Sequence, residues 1–344
     1  MGKFDVLNNP DEINKIDRSG MLAVIASMPE MLEEGLANRC VGALPSIKKF
    51  KQIVVCGMGG SAIAGDIVAG MVDVPLLVNR SYRLPAFVGK DTLVFALSYS
   101  GNTEETLSAV KEAEKKGAKI VCITSGGELK ALAEKKQYPY FLVPDSFQPR
   151  AALPHLLGAL LQGIRIDEGR AEAVSLLKKL RAEYKVDVPL RANPAKQLAK
   201  KVEGKIPVIF AVSGTTAAAG LRFKSQLSEN GKMTSLLGLF PELDHNEIVS
   251  LSVLKRTEHD HMLIVLRDED DTERIRKRIE ITKSLLTKQL GGAYEIFAQG
   301  RSSLAKLLSL VYLTDFVSAY AAVNRQVDPT PVDIISRLKR EMAR

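Results

Sequence analysis

The sequence contains no tryptophan, and aromatic residues make up only 6% of it. Single-stranded nucleic acid is gripped by aromatic platforms set among basic residues, so this scarcity argues against that partner class although the formal net charge is +8. The placement of charge agrees. Lys and Arg are interleaved with Glu in "VKEAEKKGAK" and "DTERIRKRIEITK", as on solvated helix faces, and do not gather into one stripe. A positive field of this kind suits an anionic substrate. Cysteine is equally sparse: Cys40, Cys56 and Cys122 lie far apart, two of them inside apolar strand-like runs, so they read as buried, reduced thiols. No apolar run reaches the roughly 18 residues of a membrane span, and the N-terminus lacks a basic stretch followed by an apolar one. Its Met-Gly start invites a myristoylation signal, but Val6 stands where that signal wants Ser or Thr. The expectation is a cytoplasmic protein with no membrane or nucleic-acid partner.

What is present is a repeated α/β pattern. With 344 residues, 46% of them hydrophobic, the chain has room for about two domains. After a helical stretch near 10–37, apolar runs alternate with amphipathic helices: "QIVVCG" then 61–72, "PLLVN", "TLVFALS" then 103–117, "KIVCITS" then 127–136, and "YFLVP". Short near-continuous Val, Ile, Leu and Phe runs between helices are the mark of a parallel sheet covered on both faces. A second cycle begins at "KIPVIFAVSG" with a helix near 215–229, continues with "HMLIVLRDEDDTERIRKRIEITKSLL" and "GAYEIFAQG", and closes with two more helices. The expected organisation is an N-terminal helical segment (1–45), a doubly wound domain (46–150), connecting helices (151–190) and a second such domain with C-terminal helices (191–344).

The halves match at "VVCGMGGSAIAGDIV" and "IFAVSGTTAAAGLRF" but diverge after the third strand, where the first has "SYSGNT" and the second "RDEDDT". Hydroxyls and backbone N–H groups at a helix start seat anions, whereas four acidic residues repel them. One phosphate site per chain is therefore expected, in the first half, with Gly59, Gly60, Ser61, Ser98, Ser100 and Thr103 around it. The competing reading of these residues is a tight turn and ordinary helix capping. Gly57, Gly59 and Ala62 also fit the dinucleotide fingerprint, but the ribose-binding acid expected about 20 residues on is missing. Arg80 stands near that place and would suit a 2′-phosphate, which keeps an NADP-dependent dehydrogenase as a rival.

Taken together and in order, "GMGGSAIAGD", "SYSGNTEET", "PRAALPH", "SENGK" and "ELDHNEI" resemble the bifunctional phosphoglucose/phosphomannose isomerases, over about residues 50–340. The resemblance implies a pair of flavodoxin-like sugar isomerase (SIS) domains, no cofactor, and interconversion of glucose 6-phosphate or mannose 6-phosphate with fructose 6-phosphate. It also implies a homodimer whose active site is completed across the interface. That reaction opens a hemiacetal and moves a proton between C1 and C2 through an enediolate, so it needs a base, an acid–base group at the ring oxygen and a cation near the oxyanion. The resemblance assigns the base to Glu229, ring opening to His245, enediolate stabilisation to Arg150 and a substrate contact to Lys339. Glu229 also precedes Asn230-Gly231, a helix stop signal, where the negative end of the helix dipole disfavours the ionised carboxylate. A non-catalytic sugar-phosphate sensor is the second rival. His259 and His261 flank Asp260 beside Glu258, yet alternate strand residues face opposite ways, so no metal site is expected there.

Overall fold

The computed structural model describes residues 5–254, 261–290 and 292–342. Short helices α1 (Pro10–Ile16), α2 (Met21–Ala26) and α3 (Met28–Ala37) come first. The expected single helical stretch breaks at Asp17, whose buried carboxylate accepts the N–H groups of Met21 and Leu22, each at 2.8 Å, and so starts a new helix.

A first sheet follows, built from β1 (Gln52–Cys56), α4 (Gly59–Val68), β2 (Leu76–Asn79), β3 (Thr92–Ser98), α5 (Glu104–Lys115), β4 (Lys119–Thr124), α6 (Gly127–Lys136) and β5 (Tyr140–Leu142). Helices α7 (Leu153–Ile164), α8 (Arg170–Tyr184) and α9 (Pro194–Lys201) lead to the second sheet. That comprises β6 (Ile206–Val212), α10 (Ala217–Glu229), β7 (Leu236–Phe240), α11 (Glu247–Ser252), β8 (His261–Arg267), α12 (Glu273–Leu290) and β9 (Ala293–Phe297). Helices α13 (Ser303–Asn324) and α14 (Asp333–Met342) end the described chain. The residues form two compact units, one of Ser27–Leu176 and Gly300–Ala305, the other of residues up to Ala26, Leu177–Gln299 and those from Lys306 on.

Strand order is β2-β1-β3-β4-β5 in the first sheet and β7-β6-β8-β9 in the second. Every pairing of these strands is parallel, as the apolar runs predict. In both orders the chain reverses direction beside the first strand, which opens a crevice at the carboxyl ends of β1 and β3. Each residue of the central strand β3 is buried. Val54, Cys56, Val94, Ala96, Ile120 and Cys122 pack against Leu107, Val110, Leu129 and Ala133 of α5 and α6. Burial of such side chains contributes about 1.5–3 kcal/mol each, which makes this sheet a firm platform for its turns. Burial also pushes the Cys56 and Cys122 thiols up to about 12, so both stay protonated and inert.

Strand β7 is absent from the sequence reading. It is a short edge strand with Gly238 in its interior, and glycine weakens a strand's local signal. Helix α13 is the one helix among the described residues long and apolar enough to cross a bilayer, but 89% of its apolar stretch is buried inside the protein.

Candidate active site

The phosphate-type turns of the first half meet at the β1–β3 crevice. Gly59 opens α4 with φ +50°, a conformation glycine adopts without strain, and the first N–H groups of a helix have no intrahelical acceptor. Ser61 is buried in that first turn. After β3, the Ser98 hydroxyl donates to the Thr103 hydroxyl at 2.9 Å and the Thr103 N–H points back to Ser98 Oγ at 3.4 Å. Ser100 Oγ accepts the Asn102 N–H at 3.3 Å and is exposed. Thr103 occupies the N-cap of α5, yet its side chain makes no capping bond. Capping of α5 therefore does not explain Thr103.

The turn is braced from behind. Asn102 Oδ1 accepts the Glu128 N–H at 3.0 Å and so serves α6. Gly101 has φ +71°, and a Cβ added there would lie 1.8 Å from the Gly126 carbonyl oxygen, so no other residue fits without moving the turn.

Arg150 reaches the same place from the segment between β5 and α7. It is buried, and a Cβ added to Gly60 would lie 3.2 Å from the Pro149 carbonyl oxygen and 3.3 Å from Arg150 Cα. Gly60 thus allows the start of α4 to touch the backbone that carries the arginine. The structure therefore brings Gly59, Gly60, Ser61, Ser98, Ser100, Thr103 and Arg150 to one edge of one sheet. Arg80, the cation a dinucleotide reading would use, forms an ion pair with Asp66.

The corresponding edge of the second sheet closes on itself. Thr215 Oγ1 donates to Asp271 at 3.0 Å, Thr216 Oγ1 accepts the Val212 N–H at 2.8 Å, and Lys306 pairs with Asp268 at 2.8 Å and with Asp270. Arg267 pairs with Glu280 and Glu295. Lys306 thus offsets part of the charge of the four acids, Asp268, Glu269, Asp270 and Asp271, and the turn keeps an acidic excess. The groups at this edge are tied to one another.

Glu229 is the last residue of α10, as the stop signal predicts, but the left-handed residue is neither Asn230 nor Gly231. Asn230 stays helical and fully buried, its side chain donating to Ser318 Oγ at 3.0 Å, while Lys232 takes φ +52°. Lys232 Nζ donates to the carbonyls of Glu229 and Pro329, and these bonds hold the unusual backbone. A cavity of about 510 Å³ opens beside Glu229, walled by Lys232, Val327, Pro331 and Ile335 among others. Ligand pockets commonly fall in this size range. Lys339, exposed on α14, does not line it.

His245 ends a short helical turn after β7 and is exposed. Its position relative to Glu229 follows from topology. Helix α10 runs back from the carboxyl end of β6 to the start of β7, so Glu229 sits at the amino edge of the second sheet and His245 at its carboxyl edge. The Leu236–Phe240 strand between them spans roughly 16 Å at about 3.3 Å per residue. The structure does not bring these two together in the second unit. Glu258, His259 and Asp260 lie outside the described residues; His261 heads β8. Sequence reasoning missed Tyr99, buried between the two serines of the turn; its one signal was a large ring amid small polar residues.

Known proteins resemble this chain in sequence and in fold. The family described as "Bacterial phospho-glucose isomerase C-terminal SIS domain" matches residues 191–342, and the SIS domain family matches residues 78–137. The chain is similar to a bifunctional phosphoglucose/phosphomannose isomerase of Caldicellulosiruptor bescii, 40% identical over 335 residues that cover 94% of this chain and 99% of the relative. A protein of the same name from Aquifex aeolicus is 35% identical, with 85% and 91% covered. Among solved structures, a glucose-6-phosphate isomerase like protein from Thermus thermophilus superposes with a TM-score of 0.69 over 97% of this chain and 98% of that one, at 18% identity, a likeness of fold.

Proposed function

The chain belongs to the bifunctional phosphoglucose/phosphomannose isomerase family, and from that premise we propose that it interconverts glucose 6-phosphate and mannose 6-phosphate with fructose 6-phosphate at the residues named above. One observation carries the assignment of the site. The hydroxyls of Ser98 and Thr103 bond to each other without capping α5, beside a buried arginine and the glycine start of α4. Such a group of donors at a sheet crevice suits a phosphate dianion.

In this reading Ser61, Ser98, Ser100 and Thr103, with the N–H groups of Gly59 and Gly60, hold the phosphate. His245 passes a proton to the ring oxygen as the hemiacetal opens, which an imidazole does readily near neutral pH. The Glu229 carboxylate takes the proton from C2 of the aldose and returns it to C1, giving the ketose. Arg150 faces the negative charge that builds on the enediolate oxygens, where a fixed cation lowers the barrier. Glucose and mannose 6-phosphates differ only at C2 and share this enediolate. Lys339 is proposed as a further substrate contact.

We also propose a homodimer, with His245 supplied to the partner's site. Two observations support it. Glu229 and His245 stand at opposite edges of one sheet, and α14 leaves Ile334, Ile335 and Leu338 uncovered, at 74%, 39% and 62% exposure, an apolar face of the kind that marks an interface. The enzyme is further proposed to be cytoplasmic and to serve glycolysis and gluconeogenesis.

The test is turnover of fructose 6-phosphate in EDTA without nucleotide. Aldose formation is expected, and Glu229→Gln is expected to lower kcat about 10²–10⁴-fold while sugar-phosphate affinity stays near wild type. Saturable binding without turnover would favour the sensor, and turnover only with NADP the dehydrogenase. A Glu229→Gln variant of near wild-type rate would remove the base assignment.

A further inference from the structure

The segment that carries Arg150 is an irregular stretch between β5 and α7, yet the chemistry above asks its guanidinium for a fixed position. Two contacts with the phosphate edge supply one. Gly60 packs against Pro149 and Arg150, as described. The other contact is Tyr99, which follows Ser98 and precedes Ser100 but turns inward, 5% exposed. Its hydroxyl oxygen accepts the Phe147 N–H at 2.9 Å. Its own backbone is pinned, because the Tyr99 carbonyl accepts both the N–H of Ser125 at 3.0 Å and the Ser125 hydroxyl at 2.6 Å. Between Phe147 and Arg150 the chain tightens into a turn in which the Gln148 carbonyl accepts the N–H groups of Ala151 at 2.8 Å and Ala152 at 3.2 Å. A rigid path therefore runs from the phosphate turn through one phenol oxygen to the backbone three residues before the arginine. Burial raises the phenol above its ordinary range, so this link stays neutral through the working pH range.

We propose that Tyr99 is a positioning residue for catalysis: its hydroxyl sets the height of the Phe147–Arg150 backbone over the phosphate turn, so that seating the phosphate also places the guanidinium at the reacting carbons. This rests on the functional reading given above. A displacement of about 1 Å in such a group costs up to about a hundredfold in rate, while the phosphate seat, made by neighbouring residues, is left intact. Tyr99 touches no substrate in this scheme; it acts through Arg150.

The test is Tyr99→Phe, which removes only the oxygen, with folding checked by circular dichroism at the assay temperature. The expected result is a fall in kcat for fructose 6-phosphate of about tenfold or more, with the inhibition constant of inorganic phosphate, a probe of the seat alone, unchanged within about twofold. In an Arg150→Lys background the same substitution is expected to cost much less, because the two changes act on one group. If Tyr99→Phe does not fold, 4-aminophenylalanine incorporated at position 99 keeps the ring, replaces the acceptor with a poor one and is expected to give the same kcat loss. An unchanged kcat, a weaker phosphate inhibition matching the rate loss, or an equal loss in the Arg150→Lys background would each overturn the proposal. Wild-type protein without turnover would overturn the functional reading and this inference with it, whereas wild-type turnover with an unaffected variant would overturn this inference alone.

Discussion

His155 stands third in α7 with its ring 5.4 Å from that of Phe147 and its Nε2 buried without a hydrogen-bond partner, 3.7 Å from the Glu34 carboxylate. Burial holds its pKa below the usual 6.5, partly offset by Glu34. The sign of the pH effect follows. As pH falls through about 6.5 the unfolded chain takes up a proton that the folded chain still refuses, so acid withdraws stability until the lower folded value is passed. The urea midpoint is therefore expected to drop more between pH 7.5 and 5.5 for wild type than for His155→Phe, which keeps the packing on Phe147 and cannot titrate. Parallel pH curves for the two would refute this. At this scale the sequence was legible where small residues stand at a helix start, as at Gly59, Ser61 and Thr103. It was not legible where a side chain's direction decides its role: Asn102 turns to α6 and Tyr99 to Phe147.

Among the elements, α10 and α13 show what holds the second unit. Arg222 of α10 meets Asp315 of α13 in a two-pronged ion pair at 3.0 and 2.7 Å, both side chains almost fully buried. Removing one partner strands a buried charge, so Asp315→Ala is expected to cost about 3–5 kcal/mol in urea unfolding. The pair Arg222→Met with Asp315→Leu is expected to restore most of it, and a loss in the double variant as large as in the single one would count against this account. Helix α13 was legible as an apolar helix. That it is a core helix follows only from its surroundings: Tyr312, Phe316 and Tyr320 cluster with Tyr184 and are fully buried. Strand β7 and the left-handed Lys232 were not legible, because neighbours fix both against weak local preference.

For the whole molecule, the separation of Glu229 from His245 bears on assembly. If each active site takes its glutamate from one chain and its histidine from the partner, Glu229→Gln and His245→Ala are each inactive alone. Co-expressed, they are expected to recover about one quarter of wild-type activity, since half of the randomly assorted dimers carry both variants and each of those has one intact site. No recovery from a mixture that sedimentation velocity shows to be dimeric would refute the shared site.

The alternation of strands and helices in both sheets, β7 excepted, and the crowding of small polar residues at the starts of α4 and α5 were determined by the sequence alone, because strand and helix periods and the chemistry of a helix start are short-range properties written in a few consecutive residues. Only the tertiary structure decided that Arg150 lies against Gly60, that Tyr99 holds the segment before it, that Lys306 pairs with Asp268 and Asp270 of the second acidic turn, and that Glu229 and His245 occupy opposite edges of one sheet. Each of these depends on backbone segments far apart in the chain meeting at a sheet edge or helix crossing. Local preferences do not encode such meetings; the packing of the whole sheet does.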